Sequence, residues 1–242
     1  LYQDHLNYYK NDLNAYLADK ANIFLYQKPE DTLILGAQCA PTIINRYGEK
    51  IESNTLVVDT LKLPDTWTLC IPGMHNRYDA ALALAAARTL NISDGISRHA
   101  FQSFMGVPGR LELIGEKNGV KIYNDTTSTT PEATLAALAA LDATRAVLIM
   151  GGTDKGLDID ALLAKLPDVK KIILLAGTGT DRFHAQFPDA PVYDALAPAV
   201  EDAFTHAKKG DTILFSPAFT SFGMFKNEFD RGDQFNSAVK TL

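Results

Sequence analysis

The chain has 242 residues, a formal net charge of −6 at neutral pH and an apolar content of 46%. That length holds a real core and one or two domains. The acidic balance argues against a nucleic-acid partner, which needs a basic face. No apolar run is long enough for a bilayer, so no membrane partner is expected either. Cys39 and Cys70 stand far apart with no zinc-type spacing around them, which fits a reducing, cytoplasmic setting. No signal peptide or basic leader is visible. The chain opens at Leu1 rather than Met, in polar, aromatic-rich sequence; the expectation is that more sequence lies upstream.

Residues 1–24 start with Gln3-Asp4-His5-Leu6-Asn7 and continue as an amphipathic helix with Leu13, Tyr16, Leu17 and Phe24 on one face. Lys20 falls on that face by spacing, where it must snorkel outward or find a partner for its charge. Residues 32–72 read as β-rich, with short runs at 32–35, 55–58 and 66–69. Ile71-Pro72-Gly73-Met74-His75-Asn76 then opens an alanine-rich helix to about Leu90, and a shorter helix covers 97–104. Met105-Gly106-Val107-Pro108-Gly109 puts three breakers in five residues. The predicted domains are therefore 1–106 and 107–242.

The second domain opens with a strand over 110–114. Lys121-Ile122-Tyr123-Asn124-Asp125 is a strand running into a polar turn. Thr130 is placed to cap the following helix and Pro131 sits at its first position. Buried strands at 146–150, 172–175 and 212–215 follow, with a short one near Val192. Helices start near Asp158 and after Gly177, run to about His206, and close the chain. Short apolar strands alternating with helices predict an α/β domain with a Rossmann-like parallel sheet covered on both faces. Ligands in such folds bind outside the carboxyl ends of the strands. Four loops should gather there: 124–130, 151–156, 177–180 and 216–222. They offer Asp125, Thr129, Lys155, Arg182 and Ser221, a set suited to a carboxylate or phosphate.

Several motifs carry less. Gly177-Thr178-Gly179-Thr180 lacks the third glycine of a dinucleotide loop and lies third in the domain rather than first, so an NAD(P)-binding dehydrogenase domain is a weak alternative. Tight NADH binding would favour it. Ser216-Pro217-Ala218 has no nucleophile-elbow glycines. No phosphate-binding Gly-x-x-x-x-Gly-Lys-Ser/Thr occurs anywhere. For His5 and His75 an exposed or structural role is the default; His5 is the better ligand candidate because Asp4 adjoins it.

Taken together, Asp4-His5-Leu6-Asn7 with Lys20, Gly73-Met74-His75-Asn76, Pro108-Gly109-Arg110-Leu111-Glu112, Asn124-Asp125, Gly151-Gly152-Thr153-Asp154-Lys155-Gly156, Ser216-Pro217-Ala218-Phe219-Thr220-Ser221-Phe222 and Arg231-Gly232-Asp233-Gln234-Phe235 resemble the Mur ligases, which build the peptide stem of bacterial cell-wall precursors. The branch resembled adds glutamate to UDP-N-acetylmuramoyl-L-alanine. The resemblance covers the whole chain. It implies the truncated end of a central ATPase domain, then a complete C-terminal Rossmann-like domain that takes the amino acid. It implies ATP and magnesium, a cytoplasmic bacterial monomer, and an acyl-phosphate intermediate. A fragment without the phosphate loop is expected to be inactive by itself. His5 and Lys20 are implied as catalytic and metal residues, Lys20 matching a carbamylated lysine. Asn76, Asp79, Arg110 and Asp125 are implied at the nucleotide, and Thr129, Lys155, Ser221 and Phe222 at the glutamate. Thr127, Thr130 and Glu228 depart from the family pattern around the amino-acid site, so D- and L-glutamate both stay open, as does a non-catalytic module that keeps the fold.

Overall fold

The computed structural model describes residues 6–59 and 63–242. The chain divides into two compact units. One takes the chain to Cys70 together with Met74–Phe104; the other takes Ile71–Gly73 with Met105–Leu242.

The first unit contains helix α1 (Leu13–Ala21), strand β1 (Thr32–Gly36), helix α2 (Ala40–Tyr47), strand β2 (Asn54–Val58), helix α3 (Met74–Thr89) and helix α4 (Asp94–Ser103). Strands β1 and β2 pair in parallel. Alternation along β1 splits the core. Leu33 and Leu35 pack with Leu17, Phe24 and Ile43, while Ile34 faces Leu84 and Trp67 on the α3 side. The run 66–69 is not a strand. Arg77 donates to the carbonyls of Trp67 at 2.9 Å and Pro64 at 3.2 Å, and Trp67 is buried in the α3 core. A guanidinium takes the place of a neighbouring strand. Helix α4 starts earlier than its apolar pattern implies because Ser93 caps it, accepting from the Ile96 amide.

Of the two outcomes open to Lys20, the structure shows the outward one. Helix α1 ends at Ala21, and Phe24 reaches the core from the turn that follows. The buried face is therefore Leu17 and Ala21, four residues apart. Lys20 is exposed, with its ammonium 5.6 Å from the centroid of the Tyr16 ring.

The second unit is an α/β sandwich around a six-stranded sheet of order β3-β4-β8-β5-β6-β7. Its elements are β3 (Glu112–Lys117), β4 (Val120–Asn124), α5 (Pro131–Ala140), β5 (Ala146–Gly151), α6 (Asp160–Lys165), β6 (Lys171–Leu175), α7 (Thr178–Asp181), β7 (Val192–Tyr193), α8 (Leu196–His206), β8 (Thr212–Phe215) and α9 (Glu228–Thr241). Strands β4 to β8 are parallel, as their continuous apolar runs imply. Strand β3 is not: it pairs antiparallel with β4, with a bulge between Leu113 and Gly115. The cause is the Asn118-Gly119 turn, where both residues take positive φ, the hairpin geometry that Asn-Gly favours. Thr130 caps α5, its hydroxyl accepting from the Ala133 amide, and Pro131 occupies the first turn.

Leu148, Met150 and Leu214 face Leu138, Leu162 and Phe183 on one side of the sheet. Val147, Ile149 and Phe215 face Val200 and Phe235 on the other. Strands β4 and β8 are neighbours, yet the chain leaves β4 toward α5 on the first face and β8 toward α9 on the second. This is a topological switch point, and a crevice opens there at the carboxyl ends.

The opposite end of the sheet is stapled by Asp211. This carboxylate is 6% exposed. It accepts from Lys170 Nζ and from the Lys208 amide at 2.7 Å, with Arg145 Nε at 3.5 Å. Arg145, Lys170 and Asp211 directly precede β5, β6 and β8, and the Asp211 carbonyl accepts from Lys121 in β4. Burial pushes the carboxyl pKa up, but the hydrogen bonds from Lys170, Lys208 and Arg145 and the charge of Lys170 outweigh it, leaving it below the ordinary 3.8. Such a group stabilises the fold above its unfolded-state value, and the contribution is lost as pH falls through the lower folded-state value. Asp211→Asn should therefore cost about 1–3 kcal/mol at neutral pH. Urea denaturation should show that gap closing as pH drops below 3.8; a gap independent of pH would contradict the assignment.

Candidate functional site

Three loops leave adjacent strands at the crevice: 125–130 after β4, 216–227 after β8, and 152–159 after β5. Backbone contacts fix them to one another. Thr153 and Thr220 exchange hydrogen bonds as an antiparallel bridge, at 3.0 Å and 3.1 Å. Thr153 Oγ1 donates to the Phe222 carbonyl. The Gly151 amide donates to Pro217 O at 2.9 Å, and the Gly179 amide to Gly152 O at 2.9 Å. A Cβ on Gly152 would stand 2.3 Å from the Thr220 carbonyl oxygen, and one on Gly177 would stand 2.4 Å from that of Gly152. Only residues without a side chain permit this approach.

On this frame Lys155 Nζ donates to Thr129 Oγ1 at 3.2 Å. Thr129, Lys155, Asp154, Ala218 and Phe219 line a shallow depression. Ser221, buried, follows the bridge at Thr220, and exposed Phe222 comes next. Thus Thr129, Lys155 and Ser221 come together at one sheet edge. Arg182 does not offer its charge there. It donates to Asp154 Oδ1 at 2.7 Å and to Leu157 O at 3.0 Å, and so braces the loop that carries Lys155. Ala218 adopts φ 64° within the depression, a conformation costly for a residue with a Cβ.

Asp125 is buried and heavily engaged. Its Oδ1 accepts from the Leu111 amide at 2.8 Å, and its Oδ2 from Ser128 Oγ at 2.5 Å and Ser216 Oγ at 2.7 Å. It joins the start of β3, its own turn and the end of β8. Arg110, which directly precedes Leu111, is exposed. In the first unit, Asn76 and Asp79 lie one turn apart on the first turns of α3, Asn76 half-buried and Asp79 exposed. His5 lies outside the described residues. Among the described residues no three His, Cys, Asp or Glu side chains converge on a metal-sized space, and Lys20 is exposed.

The glycines of the Gly177-Thr178-Gly179 segment serve packing. A Cβ on Gly179 would stand 2.3 Å from the Phe219 ring, which stacks on Phe183 at 6.1 Å. Helix α7 has only four residues, too few to present the dipole that a dinucleotide loop uses. Sequence reasoning quoted Arg231 within a motif but gave it no role; it is fully buried under the loops. The available signal was its i, i+4 spacing to Phe235, which puts both on one helix face.

Residues 109–219 match the family model described as "Mur ligase, glutamate ligase domain". Over 98% of its length the chain is 34% identical to the UDP-N-acetylmuramoylalanine--D-glutamate ligase of Aquifex aeolicus, and over 99% it is 36% identical to that of Porphyromonas gingivalis. The chain belongs to the Mur ligase family. It spans 60% and 59% of those two Mur ligases. Among solved structures it resembles E. coli FolC in complex with ADP, with a TM-score of 0.72 at 20% identity over 100% of this chain and 61% of that one. It also resembles the Mur ligase MurF of Thermotoga maritima in complex with ADP, with a TM-score of 0.67 at 18% identity over 99% and 60%. At these identities the structural likeness speaks for the fold.

The packing at Gly179 gives a direct test. Gly179→Ala forces a Cβ into the Phe219 ring and should destabilise by about 1–3 kcal/mol. Gly115→Ala meets nothing within 4 Å and should stay within about 0.5 kcal/mol of the parent protein. Equal costs in urea denaturation would show that the glycine seam is not under steric constraint.

Proposed function

We propose that this chain is the amino-acid-binding part of an ATP-dependent ligase that adds D-glutamate to UDP-N-acetylmuramoyl-L-alanine in peptidoglycan precursor synthesis. The observation that carries the reading is the pairing of Lys155 Nζ with Thr129 Oγ1 at the sheet edge where Ser221 also lies. An ammonium and a hydroxyl at one point suit a carboxylate, which accepts from both. The names of the relatives supply D-glutamate as the amino acid.

In this reading the UDP-linked substrate's carboxylate attacks the γ-phosphate of ATP, giving an acyl phosphate and ADP. The glutamate amine then attacks the acyl carbon, an amide bond forms, and inorganic phosphate leaves with the displaced oxygen. Lys155 and Thr129 hold a glutamate carboxylate, which leaves the amine unpaired and directed away from the cation. Ser221 and Phe222 complete the glutamate contacts. Arg110, Asn76 and Asp79 are assigned to the nucleotide on motif resemblance. Asp125 is assigned there too, on the same ground; its carboxylate accepts from the Leu111 amide, Ser128 Oγ and Ser216 Oγ. Magnesium would offset charge on the phosphates during the transfer. His5 and Lys20 are assigned to that region by resemblance alone. The 242-residue chain contains no phosphate-binding loop, so by itself it should release no ADP.

Titration of the chain with D-glutamate, followed by NMR, tests the site. Lys155→Met should weaken binding about tenfold or more, the loss of one charge-assisted hydrogen bond. L-glutamate serves as the comparison ligand. Unchanged affinity in the variant would remove Lys155 from the site. ADP release by the unextended chain, with ATP and the UDP-linked substrate, would overturn the assignment of inactivity.

A further inference from the structure

The Arg231-Gly232 pair on α9 has no role in the chemistry above. Arg231 has the largest side chain among those fully buried in the described residues. Its guanidinium spends three separate nitrogens on two loops. Nε donates to Thr126 Oγ1 at 3.2 Å, Nη2 to Thr126 O at 2.7 Å, and Nη1 to Phe219 O at 3.0 Å. Thr126 Oγ1 in turn donates to Glu228 O at 2.8 Å. The next residue tightens the same joint. A Cβ on Gly232 would stand 2.7 Å from Thr126 Cγ2, and the Gly232 carbonyl accepts from Asn124 Nδ2 at 3.2 Å.

This arrangement is expensive. A buried guanidinium is desolvated, and no carboxylate among the described residues lies within ion-pair distance of it. Burial lowers its pKa to about 10, opposed by the charge of Glu228, so it remains a cation at neutral pH. An apolar side chain would fill the space at lower cost in solvation. What it would not do is cross-link two carbonyls and a hydroxyl on separate loops in one plane, which is the particular capacity of arginine.

We propose that Arg231 is a positioning residue that locks the loop after β4 to the loop after β8, fixing Thr129 and Ser221 in register for the acceptor's carboxylate. The inference rests on the acceptor reading given above. Thr126 is three residues before Thr129 and Phe219 is two before Ser221, so both anchors sit on the segments that carry the ligand groups. Arg231 is itself inaccessible and touches no ligand.

The test uses the 242-residue chain and two readouts, hydrogen exchange in 125–130 and 216–222 and the affinity for D-glutamate. Arg231→Lys keeps the charge and removes the fork. It should speed exchange in both loops and weaken glutamate binding, each by roughly tenfold. Phe235→Leu is the control for general destabilisation; Phe235 lies on the same helix and stacks on Phe215 at 4.6 Å, on the far side from the depression. Compared at equal distance below its melting temperature, it should change both readouts by less than about twofold. Thr126→Val removes one anchor with arginine intact and should shift both readouts in the same direction as Arg231→Lys; if the lysine variant does not fold, Thr126→Val decides. Loop exchange in these variants indistinguishable from the Phe235→Leu control overturns the lock. If the parent protein does not bind glutamate while exchange responds as stated, the acceptor reading and the ligand half of the proposal fall, and the lock between the loops stands alone.

Discussion

The constraint that the second unit depends on is backbone meeting backbone where its parallel strands end. Gly151, Gly152 and Gly177 bring three chain segments closer than any side chain permits. The Thr153–Thr220 bridge continues the hydrogen bonding of the sheet past its last regular residue. Polar loops of this length normally wander. Here carbonyl and amide groups of the loops bond to one another, which fixes the relations of the side chains they carry.

The two ends of the sheet solve different problems. At the amino ends a single buried carboxylate, Asp211, collects two cations and an amide and closes the gaps between strands. That is an arrangement for holding. At the carboxyl ends Arg231 is a buried cation whose partners are neutral oxygens, with the buried carboxylate Asp125 on the same turn as Thr126. Its charge meets no hydrogen-bonded carboxylate among the described residues.

Much of the second unit was legible in the sequence because local signals and burial agree there. Each strand is a short apolar run that ends in a polar turn, and Thr130-Pro131 marks a helix start by capping chemistry that the structure retains. The crevice followed from topology, since parallel strands deliver their loops to one edge. The failures also have physical causes. Thr66-Trp67-Thr68-Leu69 has strand propensity, but the carbonyls of 64 and 67 are taken by Arg77, and propensity alone does not supply a neighbouring strand. Phe24 was read as part of the helix face because the helix was extended past Ala21, where it ends. The β3–β4 hairpin was hidden by the expectation of an all-parallel sheet, although Asn118-Gly119 announces it. Arg231 stood within a quoted motif, but its burial was not legible because arginine is almost always a surface residue; its three acceptors come from distant positions.

The edges of that sheet have a consequence of their own. One edge strand, β7, is two residues long, and the other, β3, is bulged between Leu113 and Gly115 and tied into a hairpin. Neither presents the long, straight row of open amides and carbonyls onto which a second molecule's strand can zip. Recruitment by strand addition is therefore disfavoured on both flanks. Whatever this unit meets in the cell, it is built to greet with its loop crown and helical faces, which spares it the fibrous association to which exposed sheet margins are prone.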